Sequence, residues 1–287
     1  MRNQIRDVQE YKDLVRSTKK RLSGKVRSNC LLMSSYFALP ASEGRLFCDV
    51  LDNGLLVYLD EGSYLTMYYF WKPEAELEVV RQEKPIIVEE LAPSGGIKPA
   101  TALFYEKAGL RKMRTNLQYA LDVDVQPEGG EALAERCQSA LDHVREQEFT
   151  LRPCVTVEQQ ADILALWEQE LELGDVPADH RDFVERGDGS VVYVAEREGV
   201  LAGTYWWKDE RRTVRSGRHI VTSPLFVRRG IASALLAACV QDAQARGMRQ
   251  LVTWIASSNR ASISMHEKFG FVATGRLAEQ YVLDAIC

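Results

Sequence analysis

The apolar positions of the chain change period several times. Between residues 8 and 22, Tyr11, Leu14, Val15 and Leu22 form one stripe among charges, which predicts an amphipathic helix. Alternating and continuous apolar runs then predict strands at 45–50, 55–59 and 63–71, separated by the hairpin signals Asp52-Asn53-Gly54 and Asp60-Glu61-Gly62. A strand at 85–91, a helix at 99–108 and a strand at 111–121 complete the first half.

A turn cluster, Gln126-Pro127-Glu128-Gly129-Gly130, marks a break. Leu133, Cys137, Leu141 and Val144 predict a helix over 131–147. A strand at 149–155 leads to Thr156-Val157-Glu158-Gln159, a capping box that opens a helix reaching about residue 173. A short helix near 179–186 follows. Strands at 191–196 and 200–207 turn at Arg197-Glu198-Gly199, and a third runs over 219–226. An Ala-rich helix at 232–246 stops at Gly247. A strand at 251–255, a helix at 259–269 and two strands near 271–278 and 280–286 close the chain. The division is a domain at 1–121, a helical linker at 122–148 and a domain at 149–287. The halves share an internal repeat: Tyr105-Glu106-Lys107-Ala108-Gly109-Leu110 matches His266-Glu267-Lys268-Phe269-Gly270-Phe271 at one offset, in similar element orders.

Composition narrows the class. The 287 residues are 46% hydrophobic and 27% charged, the balance of a globular protein. The longest apolar runs, near 65–71 and 232–240, fall far short of the roughly 20 residues of a membrane span. No secretory h-region follows Met1, so a cytoplasmic location and no membrane partner are expected. A net charge of −5 argues against nucleic acid. The first thirty residues hold nine Lys or Arg against three acids, which reads as the solvated face of a helix. Cys30, Cys48, Cys137, Cys154, Cys239 and Cys287 are scattered without ligand spacing, so neither metal nor disulfide framework is expected.

One stretch carries chemistry. Residues 220–236 pass from strand through a turn into a helix. Gly230 and Ala232 keep bulk away from the turn, so a ligand can approach its backbone. Free amides and the helix dipole make such a turn an anion site, with Arg228 and Arg229 beside it. It is neither a Walker loop nor a G-x-G-x-x-G fingerprint. One strand later comes Asn259-Arg-Ala-Ser-Ile-Ser-Met-His-Glu-Lys-Phe-Gly-Phe271.

Together the two stretches resemble the GNAT superfamily of acyl-coenzyme-A-dependent N-acetyltransferases. Ile220, Pro224, Phe226, Arg229, Gly230 and Ala232 fall on its first motif. Asn259, Ser262, Met265, His266, Glu267, Lys268, Gly270 and Phe271 fall on its second. Val227 and Thr222 depart from it, and His266 stands where Tyr is usual. The resemblance covers residues 149–287. With the repeat it implies an α/β (α+β) protein of tandem GNAT-like folds, each a mixed central sheet flanked by helices.

The resemblance also implies roles. The pyrophosphate of acetyl-CoA would lie on the amides of Arg228, Arg229, Gly230, Ile231, Ala232 and Ser233. The pantetheine arm would run along Ile220 and Thr222, held from the far side by Asn259. A small-molecule or peptide amine would attack the thioester directly. His266 would protonate the leaving thiolate, and His219 is the first candidate for the base. Tyr205, Trp206 and Trp207 are candidates for the acceptor pocket, where strand alternation makes at least one of them core. The acidic stretch with Glu170, Glu172, Asp175, Asp179 and Asp182 would attract a cationic amine, or is a charged loop.

The first half has only thirteen residues, with no glycine, between Trp71 and its next strand, so it lacks room for a cradle and helix. Lys98 replaces Asn259, and Tyr105 replaces His266. It reads as a degenerate, non-catalytic copy that shapes the acceptor cleft or an assembly such as a homodimer. The leading expectation is an N-acetyltransferase. The alternative is a non-catalytic acyl-CoA sensor.

Overall fold

The computed structural model describes residues 3–93, 95–123, 131–154, 156–176 and 190–286. The turn cluster at 126–130, the helix expected near 179–186, Asp179, Asp182 and Cys287 lie outside the described residues. The chain divides into two contact units, one of Met1–Thr115 with Leu277–Cys287, the other Asn116–Arg276.

The elements in chain order begin with β1 (Asn3–Gln4), α1 (Val8–Arg21), β2 (Arg27–Ser28), a 3₁₀ turn (Ser34–Phe37) and α2 (Ala38–Ser42). Next come β3 (Leu46–Leu51), β4 (Gly54–Asp60), β5 (Leu65–Trp71), β6 (Ile86–Ala92), α3 (Pro99–Lys107) and β7 (Arg111–Asp122). Then follow α4 (Glu131–Glu146), β8 (Thr150–Pro153), α5 (Val157–Glu170), β9 (Ser190–Arg197), β10 (Val200–Arg211) and β11 (Val214–Thr222). A 3₁₀ turn (Pro224–Phe226), α6 (Ile231–Ala245), β12 (Gln250–Ala256), α7 (Arg260–Lys268) and β13 (Val272–Leu283) finish the chain.

In the first unit the strand order is β1-β3-β4-β5-β6, and residues 277–283 of β13 add antiparallel to β6. β5 and β6 are parallel; the other pairs are antiparallel. β4 is covered on both faces, which explains its unbroken apolar run. Leu55, Val57 and Leu59 pack toward Tyr11 of α1, and Leu56 and Tyr58 toward Phe104 and Tyr105 of α3. Asp7 caps α1 by accepting from Gln9 and Glu10 amides, so the helix starts where its charges begin.

In the second unit the order is β12-β11-β10-β9-β8, with residues 116–122 of β7 antiparallel to β12 on its far side. β11 and β12 are parallel. α4 and α6 cover one face. α6 buries eight residues around most of its circumference, and its alanines let it sit close to the sheet. α5 covers the other face with Ile163 and Trp167 against Val192, Val194 and Trp206. The Thr156 hydroxyl accepts from the Gln159 amide, as the capping box requires.

Two expectations are corrected here. The strand expected over 219–226 is β11 at Val214–Thr222, and Pro224, which has no amide to give a ladder, starts a 3₁₀ turn instead. The two closing strands are one, β13. The polar Glu279, which reads as a break, is buried and held by Lys112 at 2.8 Å and by the Tyr281 hydroxyl at 2.8 Å.

Candidate active site

The second unit places the cradle, the parallel strand pair and α7 at the carboxyl ends of β11 and β12, where open α/β sheets hold ligands. The two strands pair only from Val214 with Gln250 to Gly217 with Thr253. Beyond that point β11 stays bonded to β10, with Ile220 opposite Tyr205 and Thr222 opposite Gly203. No further β11–β12 pair forms among the described residues, so the strands splay and leave backbone groups of β11 facing a gap.

A bulge sits at the fork. Between Tyr205 opposite Ile220 and Trp207 opposite Gly217, β10 spends one residue and β11 two. Such a bulge re-aims side chains. His219 is turned onto the α5 face, its ring 5.3 Å from that of Trp167 and 5.6 Å from that of Trp206. Ile220 packs with the core on the α6 face. Trp167 donates to the Thr204 hydroxyl at 2.8 Å, which fixes the indole against which His219 lies.

The cradle follows β11. Arg228 and Gly230 both hold positive φ, 61° and 80°. A non-glycine residue there is strained, and such strain clusters at functional turns. Gly230 is the residue before α6 and supplies no side-chain cap. The amides of Ile231, Ala232 and Ser233 therefore enter the first turn with no helical partner, and no acidic side chain stands in that turn to neutralise them. A Cβ on Gly230 would lie 2.7 Å from Cδ2 of His143. α4 thus braces the loop: the Gln147 amide donates to the carbonyl of Arg229 at 3.2 Å and to that of His143 at 3.1 Å. Beneath it, a Cβ on Gly203 would meet Ile231 Cγ2 at 2.8 Å and the Val221 carbonyl at 2.9 Å, so only glycine lets α6 start this close to the sheet.

Asn259 caps α7, its Oδ1 accepting from the Ser262 amide at 3.0 Å, which leaves its amide nitrogen for a second contact. His266 is 1% exposed. Its Nδ1 lies 2.8 Å from the Ser262 carbonyl, which can only accept, so Nδ1 carries the proton and Nε2 the lone pair. Nε2 is buried without a hydrogen-bond partner. Burial lowers the imidazole pKa from its usual value, against a smaller raising effect of the Ser262 carbonyl. An unpaired buried acceptor is costly, and such exceptions mark sites.

Of the remaining candidates, Tyr205 and Trp207 lie in the α6-side core, while Trp206 lies with Trp167 and His219. Asp209 is bound to the buried Arg215 at 2.7 Å. Glu210 pairs with Arg218. Sequence reading missed the bulge at Arg218–His219 and the Gln147 brace; neither leaves a periodic signal.

The first unit has the corresponding parallel pair, but it is filled. β5 and β6 pair only at Leu65 with Ile86 and Thr66 with Ile87. β2 then lies against β5, with Arg27 opposite Trp71 and Ser28 opposite Phe70. The Asn29 amide group bridges the opened strands, donating to the carbonyls of Met67 at 3.1 Å and Glu89 at 3.3 Å, while its oxygen accepts from the Tyr69 amide at 2.9 Å. Tyr105 is fully buried, bonded to Glu90 and to the Tyr69 hydroxyl, and burial chiefly pushes its pKa up.

The second unit thus joins a sheet splayed at one parallel pair to a turn of unpaired amides at the carboxyl end of the first strand. Residues 157–271 match the Acetyltransferase (GNAT) family, so the second unit resembles the GNAT superfamily. It is 30% identical over 96 residues to the L-amino acid N-acyltransferase MnaT of Escherichia coli (strain K12), a match covering 32% of this chain and 55% of that protein. The chain therefore spans about half the length of this curated relative. A tandem GNAT protein from the clavulanic acid biosynthesis pathway is similar in fold, with a TM-score of 0.51 and 15% identity, over 82% of this chain and 80% of that one. A GCN5-related N-acetyltransferase from Sphaerobacter thermophilus gives 0.52 and 14%, over 96% and 92%. The fold is accordingly a tandem of GNAT-like units.

Proposed function

We propose that this protein is an N-acetyltransferase that moves an acetyl group from acetyl-CoA to a primary amine, at one site in its second unit. The observation that carries this reading is the splay of β11 from β12 beside an uncapped α6 amino terminus. The residues fit the cosubstrate. Unpaired amides of Ile231, Ala232 and Ser233, with Arg228 and Arg229 beside them, suit a pyrophosphate. The free β11 edge at Ile220 and Thr222 suits an amide-bearing arm, and the spare amide of Asn259 suits its far side. When bound, acetyl-CoA supplies the thioester carbonyl and a thiolate leaving group.

His266 rests as an acceptor at Nε2, so it takes a proton before it gives one. Because burial keeps it neutral, that proton comes from the amine during attack. Nε2 then delivers it to the departing sulfur, and the residue returns to its starting form. His219, held against Trp167 and Trp206 at the fork, is the candidate that first deprotonates the ammonium. Glu170, Glu172 and Asp175 supply negative charge for drawing in a cation.

The first unit serves no coenzyme A, because Asn29 and β2 occupy its strand gap and residues 72–85, between β5 and β6, hold neither a glycine nor a helix. The test is release of free coenzyme A thiol from acetyl-CoA against a panel of amino acids, polyamines and peptide amino termini. Amine-dependent release coupled to an N-acetylated product supports the enzyme. Tight coenzyme A binding with no transfer to any amine supports a sensor instead.

A further inference from the structure

The first unit carries a surface that the acyl-transfer site does not use. On α1, Lys12, Arg16 and Lys19 recur at four and three residues and line one flank of the helix. They border a groove of about 420 Å³ whose other walls include Cys30, Leu32 and Phe70. Beside Leu32 the chain exposes its neighbours. Leu31 is 71% exposed and Met33 78%, followed by exposed Tyr36 and Leu39 in and after the 3₁₀ turn. Consecutive large apolar side chains at a surface, beside a cationic helix flank, are costly in water unless something covers them.

The charges say what that is. Lys12 has no carboxylate partner among the described residues, Lys19 rests over the Phe70 ring at 5.7 Å, and Arg16 has only the exposed Asp13 at 3.0 Å. An isologous pairing of two copies through this face would set the basic stripes against each other. The face is complementary to an anionic surface into which short apolar side chains can dip. We propose that Leu31, Leu32 and Met33 insert into the interface of an anionic phospholipid bilayer while Lys12, Arg16 and Lys19 contact its headgroups. Among the described residues no helix is long and apolar enough to cross a membrane, so the attachment is peripheral. The short apolar runs that argued against a membrane partner exclude a span, not surface binding.

The test is co-sedimentation of the full chain with vesicles of phosphatidylcholine containing phosphatidylglycerol, and with phosphatidylcholine alone. Binding is expected to the anionic vesicles only, and to fall with salt. Each headgroup-contacting cation contributes about 5-fold, so Lys12→Glu with Lys19→Glu lowers partition by at least about 25-fold. Leu31→Glu with Met33→Glu abolishes it. All four positions are exposed, so coenzyme A binding serves as a folding control and stays unchanged. Equal binding to neutral vesicles, no binding to anionic ones, or variants that bind as the parent does would overturn the proposal. So would a dimer of the parent chain that Leu31→Glu with Met33→Glu dissociates, because the face would then belong to a second copy.

Discussion

His266→Phe separates function from stability in a way an ordinary core histidine would not. The parent ring buries an Nε2 with no partner, and leaving a polar atom so costs about 1–3 kcal/mol. Phenylalanine has a similar shape and keeps the edge-to-face contact with Phe271, whose centroid lies 5.0 Å from that of His266. It loses the Nδ1–H bond to the Ser262 carbonyl, worth about 0.5–1.5 kcal/mol. The net runs from about −0.5 to about 2.5 kcal/mol of added stability, or up to about 10 °C at 2–4 °C per kcal/mol. Turnover should fall by about 10²-fold or more, the scale of acid–base assistance. The pH dependence adds a second readout. The folded pKa of His266 is depressed, so its contribution is fully present above the unfolded value near ~6.5 and is lost as pH falls toward the folded value. Thermal melts at pH 8 and pH 5.5 should therefore differ less for the variant than for the parent, alongside rates with a working amine. The reasoning fails if the variant is destabilised by more than about 0.5 kcal/mol at pH 8. It fails equally if chemistry is rate-limiting and the variant turns over at the parent rate.

Other outcomes follow from the same geometry. His266→Tyr should recover part of the lost turnover, measured beside His266→Ala, because a phenol can pass the same proton. Gly203→Ala pushes a methyl against the Val221 carbonyl and Ile231, so it should cost about 1–3 kcal/mol in denaturant unfolding and weaken coenzyme A binding together. Asn29→Ala strands the Met67 and Glu89 carbonyls and the Tyr69 amide, and should lower stability by about 1–3 kcal/mol without adding a coenzyme A site by calorimetry. A fragment of residues 149–287 should fold poorly by circular dichroism, because β12 loses the strand at residues 116–122 that pairs along its whole length.

Local chemistry made part of this legible. The capping box at Thr156, the cap at Asn259 and the glycine before α6 each act within a few residues, so their spacing identifies them. α6 and α7 lie within a residue or two of where the apolar pattern puts them. What escaped depends on distant partners. The splay of β11 from β12 is a property of a strand pair, and the bulge at residues 218–219 appears only against β10. β2 is two residues long and has no period to read, yet it fills the first unit's gap. The exchange that puts residues 277–283 beside β6 links positions nearly two hundred apart. The sequence marks His266 by its motif, but the tautomer follows only from the Ser262 carbonyl at 2.8 Å.

The most direct test is calorimetric titration of the full chain with coenzyme A, repeated on Arg229→Glu. The cradle at residues 228–233 has no counterpart at residues 72–85 of the first unit, which hold no glycine and no helix, so one site per chain is expected. Placing a carboxylate beside the pyrophosphate should weaken that site at least about tenfold, one such contact being worth ~1.5–3 kcal/mol. Two equivalent sites per chain, or one site indifferent to Arg229→Glu, would contradict the assignment of the second unit as the acyl-coenzyme-A-binding half.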